Sequence, residues 1–203
     1  MRMIFSPRTL FSLLAAFAIC SPALAQSDAP AAADKPAAKP AAKKPAAKPA
    51  AATPTAGASL LGQFGDWGAY SATPGGKKVC FALSKPTSAA TEPPGRNRDP
   101  AYLFISSRPV DKVKDEVSVI VGYTQKPNME ATAAVGAVSY VMYTQNDGAW
   151  IKNAAEEAQM VAAMRKGSDI VVKSESGRGT KTTDTYSLKG LDQALARTAQ
   201  ECK

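Results

Sequence analysis

Histidine is absent from all 203 residues. That removes serine and cysteine triads built on an imidazole base, the common zinc sites, and any histidine switch near neutral pH. Cysteine is scarce, with only Cys20, Cys80 and Cys202, so a four-thiolate metal site is out of reach. No Ser-x-x-Lys occurs, which removes the signature of the penicillin-binding type of dyad. No P-loop is present. Gly177-Arg178-Gly179 opens like a phosphate loop, but the third glycine is missing, and strand-like segments flank it where a helix should follow. Paired acids are badly spaced. Asp115 and Glu116 are adjacent at a strand start and point to opposite faces. Glu156 and Glu157 fall in a helical first turn, where the dipole accounts for them. Asp99 and Asp184 serve only as distant acids that a glycosidase would have to recruit. These absences point to a protein that is not an enzyme. A hydrolase with scattered carboxylates is the alternative of another class.

Long apolar runs are also missing, apart from the beginning of the chain. Arg2 and Arg8 precede Leu10–Cys20, a run shorter than the ~20 residues that cross a bilayer. Ala23-Leu24-Ala25 follows as a cleavage site, which predicts a signal peptide over residues 1–25 and a mature chain starting at Gln26. Lipid attachment at Cys20 would need a small residue before it, and Ile19 is not small. The expected location is the periplasm, the cell envelope or the outside, with no transmembrane segment after processing.

The formal net charge of +8 is unevenly spread. Residues 1–56 hold 7 basic and 2 acidic residues, leaving 18 and 15 for the rest. The folded part is nearly balanced, which argues against a nucleic-acid groove. Residues 26–56 repeat Ala, Pro and Lys, as in KPAAKPAAKKPAAKPAA. Proline at that density breaks helices, and nothing there forms a core, so a disordered, partly polyproline-II linker is expected, about 95 Å long when extended. It is either a solubilising spacer or an electrostatic tether. As a tether, Lys35, Lys39, Lys43, Lys44 and Lys48 would make weak, salt-sensitive contact with an anionic envelope.

Residues 57–203 suit one domain with one core. Strands are expected at Phe64–Tyr70, Lys78–Ser84, Tyr102–Ser106, Val117–Tyr123, Val138–Tyr143, Ile170–Lys173 and Thr182–Leu188. Asn146-Asp147-Gly148 marks one tight turn before Trp150-Ile151, and Gly177–Gly179 marks a second hairpin. Asn153 caps a helix with Glu156 three residues on, and Ala154, Ala158, Val161 and Met164 share its buried face. A last helix begins near Leu191 and carries Leu191, Leu195, Thr198 and Cys202 on one stripe. The expected fold is mainly β: an antiparallel β-sandwich with one mid-domain helix and a C-terminal helix packed on it. An α+β layer with helices on one side of a sheet is the alternative.

Two cysteines remain after the leader is removed. In an oxidising compartment they are expected to pair, Cys80 with Cys202, closing a loop across nearly the whole domain. Free buried thiols and an intermolecular bridge are the other readings. Trp67 and Trp150 read as core residues rather than stacking platforms. A candidate interaction surface comprises Arg96, Arg98 and Asp99, in the Pro- and Gly-rich stretch Thr91–Pro100, with Arg178 and Lys181 at the second hairpin. The bland reading of both places is a solvated or salt-bridged loop.

Several short motifs occur in a fixed order. Phe64-Gly65-Asp66-Trp67 precedes the Lys78–Leu83 cysteine strand, then Arg98-Asp99-Pro100-Ala101-Tyr102 and the Glu116–Tyr123 strand. Ala149-Trp150-Ile151, Met164–Gly167, Ser176–Thr180, Tyr186–Gly190 and the last cysteine follow. Together they resemble the invasion-associated locus B family of exported bacterial proteins, over nearly all of residues 60–203. The resemblance implies a β-sandwich without agreed enzymatic activity, in which Trp67, Cys80 and Cys202 are framework positions; the residues themselves suggest no cofactor. The Ala/Pro/Lys segment departs from shorter relatives. The functional expectation is an exported, non-catalytic protein that binds an envelope or host component, protein or polymer. A periplasmic envelope-maintenance or stress factor is the alternative within the binding classes.

Overall fold

The computed structural model describes residues 55–203. The expected signal peptide, its cleavage between Ala25 and Gln26, and the linker as far as residue 54 lie outside the described residues. Eleven strands follow: β1 (Ser59–Phe64), β2 (Trp67–Ala72), β3 (Val79–Ser84), β4 (Ser88–Glu92), β5 (Tyr102–Arg108), β6 (Val113–Ile120), β7 (Glu130–Val135), β8 (Val138–Gln145), β9 (Gly148–Ile151), β10 (Asp169–Glu175) and β11 (Lys181–Ser187). Helix α1 (Ala154–Met164) follows β9, and α2 (Leu191–Glu201) follows β11.

The strands hydrogen-bond in the order β1-β2-β3-β5-β6-β9-β8-β7-β10-β11-β4, and every pairing is antiparallel. This long sheet folds over itself. Inward side chains from β2 (Trp67, Ala69) and from β11 (Tyr186) belong to one core with Leu103, Ile105, Val117, Val119 and Met142. The seam is direct: the buried Trp67 indole donates to Ser187 O at 2.9 Å, and Asp66 N donates to Lys189 O at 3.1 Å. Alternation with buried residues on the inner face, as in β7 and β8, is what a sandwich requires.

Asn153 caps α1, its Oδ1 accepting from Ala155 N at 3.2 Å. The cap matches expectation, but the buried face does not. Met160, Val161 and Met164 are buried, whereas Ala154 and Ala158 are exposed. The larger side chains win the core because burial stabilises in proportion to apolar area. β6 pairs with β9 only through Ser118–Ile120, so α1 lies beside the unpaired start of β6. There Glu157 Oε1 accepts from Val117 N at 2.7 Å. The helix dipole alone therefore does not account for Glu157, which satisfies an edge N–H.

Helix α2 buries Leu191, Ala194, Leu195 and Thr198 against β1, β2 and β3. Gly190 precedes it at φ 96°, and a Cβ there would lie 1.8 Å from Phe64 O. Only glycine permits that approach of the helix start to the β1–β2 turn. At the other end of α2, Cys202 bonds to Cys80 on β3, across a sequence separation of 122.

Four expectations change. Phe64–Tyr70 is not one strand, because Gly65-Asp66 forms the turn of the β1–β2 hairpin. The 91–100 stretch is not all loop, since β4 runs to Glu92 and pairs with β11. The apolar run ending at Tyr123 leaves the sheet after Ile120. Trp67 is core, but Trp150 is only half-buried, stacked on Tyr143 at 5.6 Å. Strand alternation sends Ala149 and Ile151 inward and Trp150 outward.

Candidate binding cleft

The β10–β11 hairpin forms one wall. Its strands stay in register to Glu175 opposite Lys181, so residues 176–180 make the loop. Ser176 pins it: its Oγ accepts from Thr180 N at 3.1 Å and Arg178 N at 3.3 Å. The base of the loop is tied to the segment after β6, with Gly177 N donating to Thr124 O at 3.1 Å and Lys126 N to Glu175 O at 2.9 Å. Beneath it, buried Gln125 accepts from Ser174 Oγ and donates to Gly148 O. The hairpin thus presents Arg178 from a fixed backbone.

The stretch after β4 forms the other wall. Arg96 N donates to Thr91 Oγ1 at 3.2 Å, and Asp99 N donates to Gly122 O at 3.0 Å. Gly122 sits at φ 78°, and a Cβ there would lie 2.0 Å from Asp99 O. This close approach requires glycine.

Between the walls lies a buried ion pair. Alternation along β11 turns Asp184 inward, where its side chain is 1% exposed. A carboxylate so placed needs a charged partner. Arg98 supplies it in a two-pronged contact: Nη1 reaches Asp184 Oδ2 at 2.7 Å and Nη2 reaches Oδ1, while Nη1 also donates to Val121 O at 2.9 Å. Burial pulls the Arg98 pKa down, but the hydrogen bonds and charge of Asp184 outweigh it and leave it raised. Tyr186 is fully buried, its hydroxyl unpartnered among the described residues. Burial first, then the charge of Asp184, raise its pKa and hold the phenol protonated.

The walls enclose a cleft of about 530 Å³. Arg96, Arg98 and Arg178 line it together with Tyr123, Thr124 and further threonine and serine side chains. The fold therefore brings together three of the five candidate surface residues. Asp99 and Lys181 are exposed and do not line the cleft. Sequence patterning alone does not assign Tyr123 and Thr124 to a site. The signal was the passage from the apolar run Val117–Val121 to a polar segment, where a strand leaves the sheet. Among the described residues that line the cleft there is no carboxylate. Asp184 is committed to Arg98, so the distant pairing of Asp99 with Asp184 does not assemble as two working acids.

Acids do meet in a second groove beside α1, lined by Asp115 and Glu157 with Lys114 and Arg165. Both carboxylates already serve the fold there. Glu157 holds Val117 N, and Asp115 Oδ1 accepts from Ser107 Oγ at 3.3 Å. Burial raises the Glu157 pKa, the Val117 N–H opposes it, and the Glu116 charge adds to the rise. Among the described residues no group of three or more His, Cys, Asp or Glu is placed to hold a metal ion.

These features define a disulfide-clasped β-sandwich domain with a preformed, arginine-lined cleft. The family profile of the Invasion associated locus B (IalB) proteins matches residues 67–199, a span that contains both cleft walls, and the chain belongs to that family. The family is one of exported bacterial envelope proteins, which makes this an envelope-associated protein. No curated protein and no solved structure matches the chain. Among the described residues, no helix is long and apolar enough to cross a membrane.

Proposed function

We propose that the mature chain is an exported binding module that takes an anionic component of the envelope or of a host in the Arg96–Arg98–Arg178 cleft, without bond chemistry of its own. One observation carries this reading: arginines distant in sequence converge on a cleft whose described lining holds no carboxylate. A concave site whose exposed charges are of one sign attracts the opposite charge. Arginine suits the task because its planar fork meets carboxylate or phosphate with two parallel hydrogen bonds. The Lys-rich segment between residues 26 and 56 acts as the tether, holding the domain close to anionic surfaces.

A photo-crosslinking residue in place of Thr124, on the cleft rim, tests the reading in cells. Capture of a partner from this position is expected, with loss of capture in Arg178→Gln. The same probe at Val138, on the exposed start of β8, is expected to capture nothing in common. Recovery of monomer alone, or equal capture from both positions, would sink the proposal.

A further inference from the structure

We infer that the cleft recognises an acidic saccharide: one or a few sugar rings bearing an oxyanion, either a carboxylate or a phosphate. This rests on the cleft being the binding site, and it concerns what the lining can recognise.

Arg98 is committed to Asp184 and Val121, so its charge is neutralised and it acts as scaffold. Arg96 and Arg178 are exposed and have no ion-pair partner among the described residues. They face the cleft from opposite walls, one from each pinned segment. Two arginine forks facing one cleft suit an oxyanion.

The rest of the lining describes what carries that oxyanion. It contains no aliphatic side chain longer than threonine and a single aromatic ring, Tyr123. An acyl chain or an apolar peptide side chain would find nothing to bury against. The neutral polar groups are plentiful. Thr124 and Thr180 hydroxyls make no hydrogen bond among the described residues, and Asn97 adds an amide that both donates and accepts. Tyr123 is held in place by its hydroxyl, which pairs with Thr182 Oγ1 at 2.6 Å. A fixed ring, free hydroxyls and an amide suit the apolar face and the hydroxyl rim of a pyranose. A volume of about 530 Å³ exceeds what a bare inorganic anion needs.

The experiment is calorimetric titration of the mature oxidised protein at low salt with tetragalacturonate, glucose 6-phosphate, inorganic phosphate and neutral maltotetraose. Binding of tetragalacturonate or of glucose 6-phosphate is expected, and which of the two binds tells a carboxylate sugar from a phosphorylated one. Maltotetraose and inorganic phosphate are each expected to bind at least tenfold more weakly. Arg96→Gln and Arg178→Gln, both surface changes, are each expected to lower affinity about tenfold or more while leaving the melting temperature unchanged. Thr124→Val is expected to lower it a few-fold. The inference fails if neither acidic sugar binds at millimolar concentration. It also fails if inorganic phosphate binds as well as they do, or if both arginine variants bind normally. Should the sugars fail while the Thr124 crosslinker still captures a partner, the saccharide is wrong and the binding cleft stands.

Discussion

Strands β5 and β6 carry two different kinds of closure at their two ends. Near Ser107, Cys80 is joined to Cys202, and α2 lays Leu191, Ala194 and Leu195 over β1–β3. That end is held chiefly by a covalent bond and by apolar burial, with the exposed Lys78–Glu201 ion pair at 2.9 Å beside the clasp as its charged contact. Beyond Ile120, the fold is held by Arg98 on Asp184 and Val121, by Ser176 across its loop, and by Asp99 N on Gly122 O. Polar closure is specific in direction and costly when half removed. Its by-product is a wall of donors facing solvent. The difference teaches that the inert end secures the domain while the polar end shapes a surface, so the two should respond separately to mutation.

Four measurements can break or sharpen that separation, taken from the largest expected effect. Replacing both cysteines, Cys80→Ala with Cys202→Ala, removes a loop of sequence separation 122, for which the chain-entropy estimate is about 5 kcal/mol. A stability loss of about 3–5 kcal/mol in urea titration is expected, with saccharide affinity retained in the folded protein. Affinity that falls with the clasp would show the ends to be coupled.

Asp184→Asn leaves Arg98 buried without its counter-charge, and a loss of about 3 kcal/mol is expected together with loss of cleft binding. The double change Arg98→Met with Asp184→Leu should recover most of the stability and none of the binding. If the double variant still binds, Arg98 is not part of the cleft scaffold. Gly122→Ala drives a Cβ against Asp99 O and strains a positive φ, for an expected loss of about 2 kcal/mol and a loosened Arg96 wall. A neutral Gly122→Ala would mean that the loop gives way freely.

The smallest effect belongs to Glu157. Burial raises its folded pKa above the unfolded value of about 4.3, so between those two pKa values the folded state binds more protons. Its contribution is therefore present at lower pH and lost as pH rises through that window. Glu157→Gln keeps an oxygen for Val117 N and should flatten this slope, read as the difference between variant and wild-type stability from pH 4 to pH 7. Taking the difference also cancels Glu201, whose pKa the Lys78 hydrogen bond and charge hold below the usual range. Parallel curves would remove the burial account of Glu157.

The strands rich in branched and aromatic residues were readable from sequence because period-two patterning and β-propensity agree there. Val117–Val119 in β6 and Ile170–Val172 in β10 are examples. β4 (SAATE) and β7 (EATAAV) carry no such signal, because alanine favours helix and their strand state is imposed by neighbours. In β7 the inward Ala131, Ala133 and Val135 keep the alternation, but with side chains too small to signal it. The two arginine-bearing stretches were also visible as charged loops. Their meeting was not, because it depends on β4 pairing with β11, two strands far apart in the chain. Nor does any local pattern announce that Arg98 would spend its charge on Asp184 while Arg96 and Arg178 keep theirs.

The two tryptophans give this molecule two separate optical reporters. Trp67 is sealed in the core with its indole bonded across the seam, while Trp150 is half-buried on the outer face beside Tyr143. Buried indole emits towards the blue and resists an aqueous quencher, whereas Trp150 should emit further red and be quenched readily. Parting of the two layers would thus redden Trp67 while Trp150 kept its colour. A single cuvette could follow the seam and the outer face independently, without any added label.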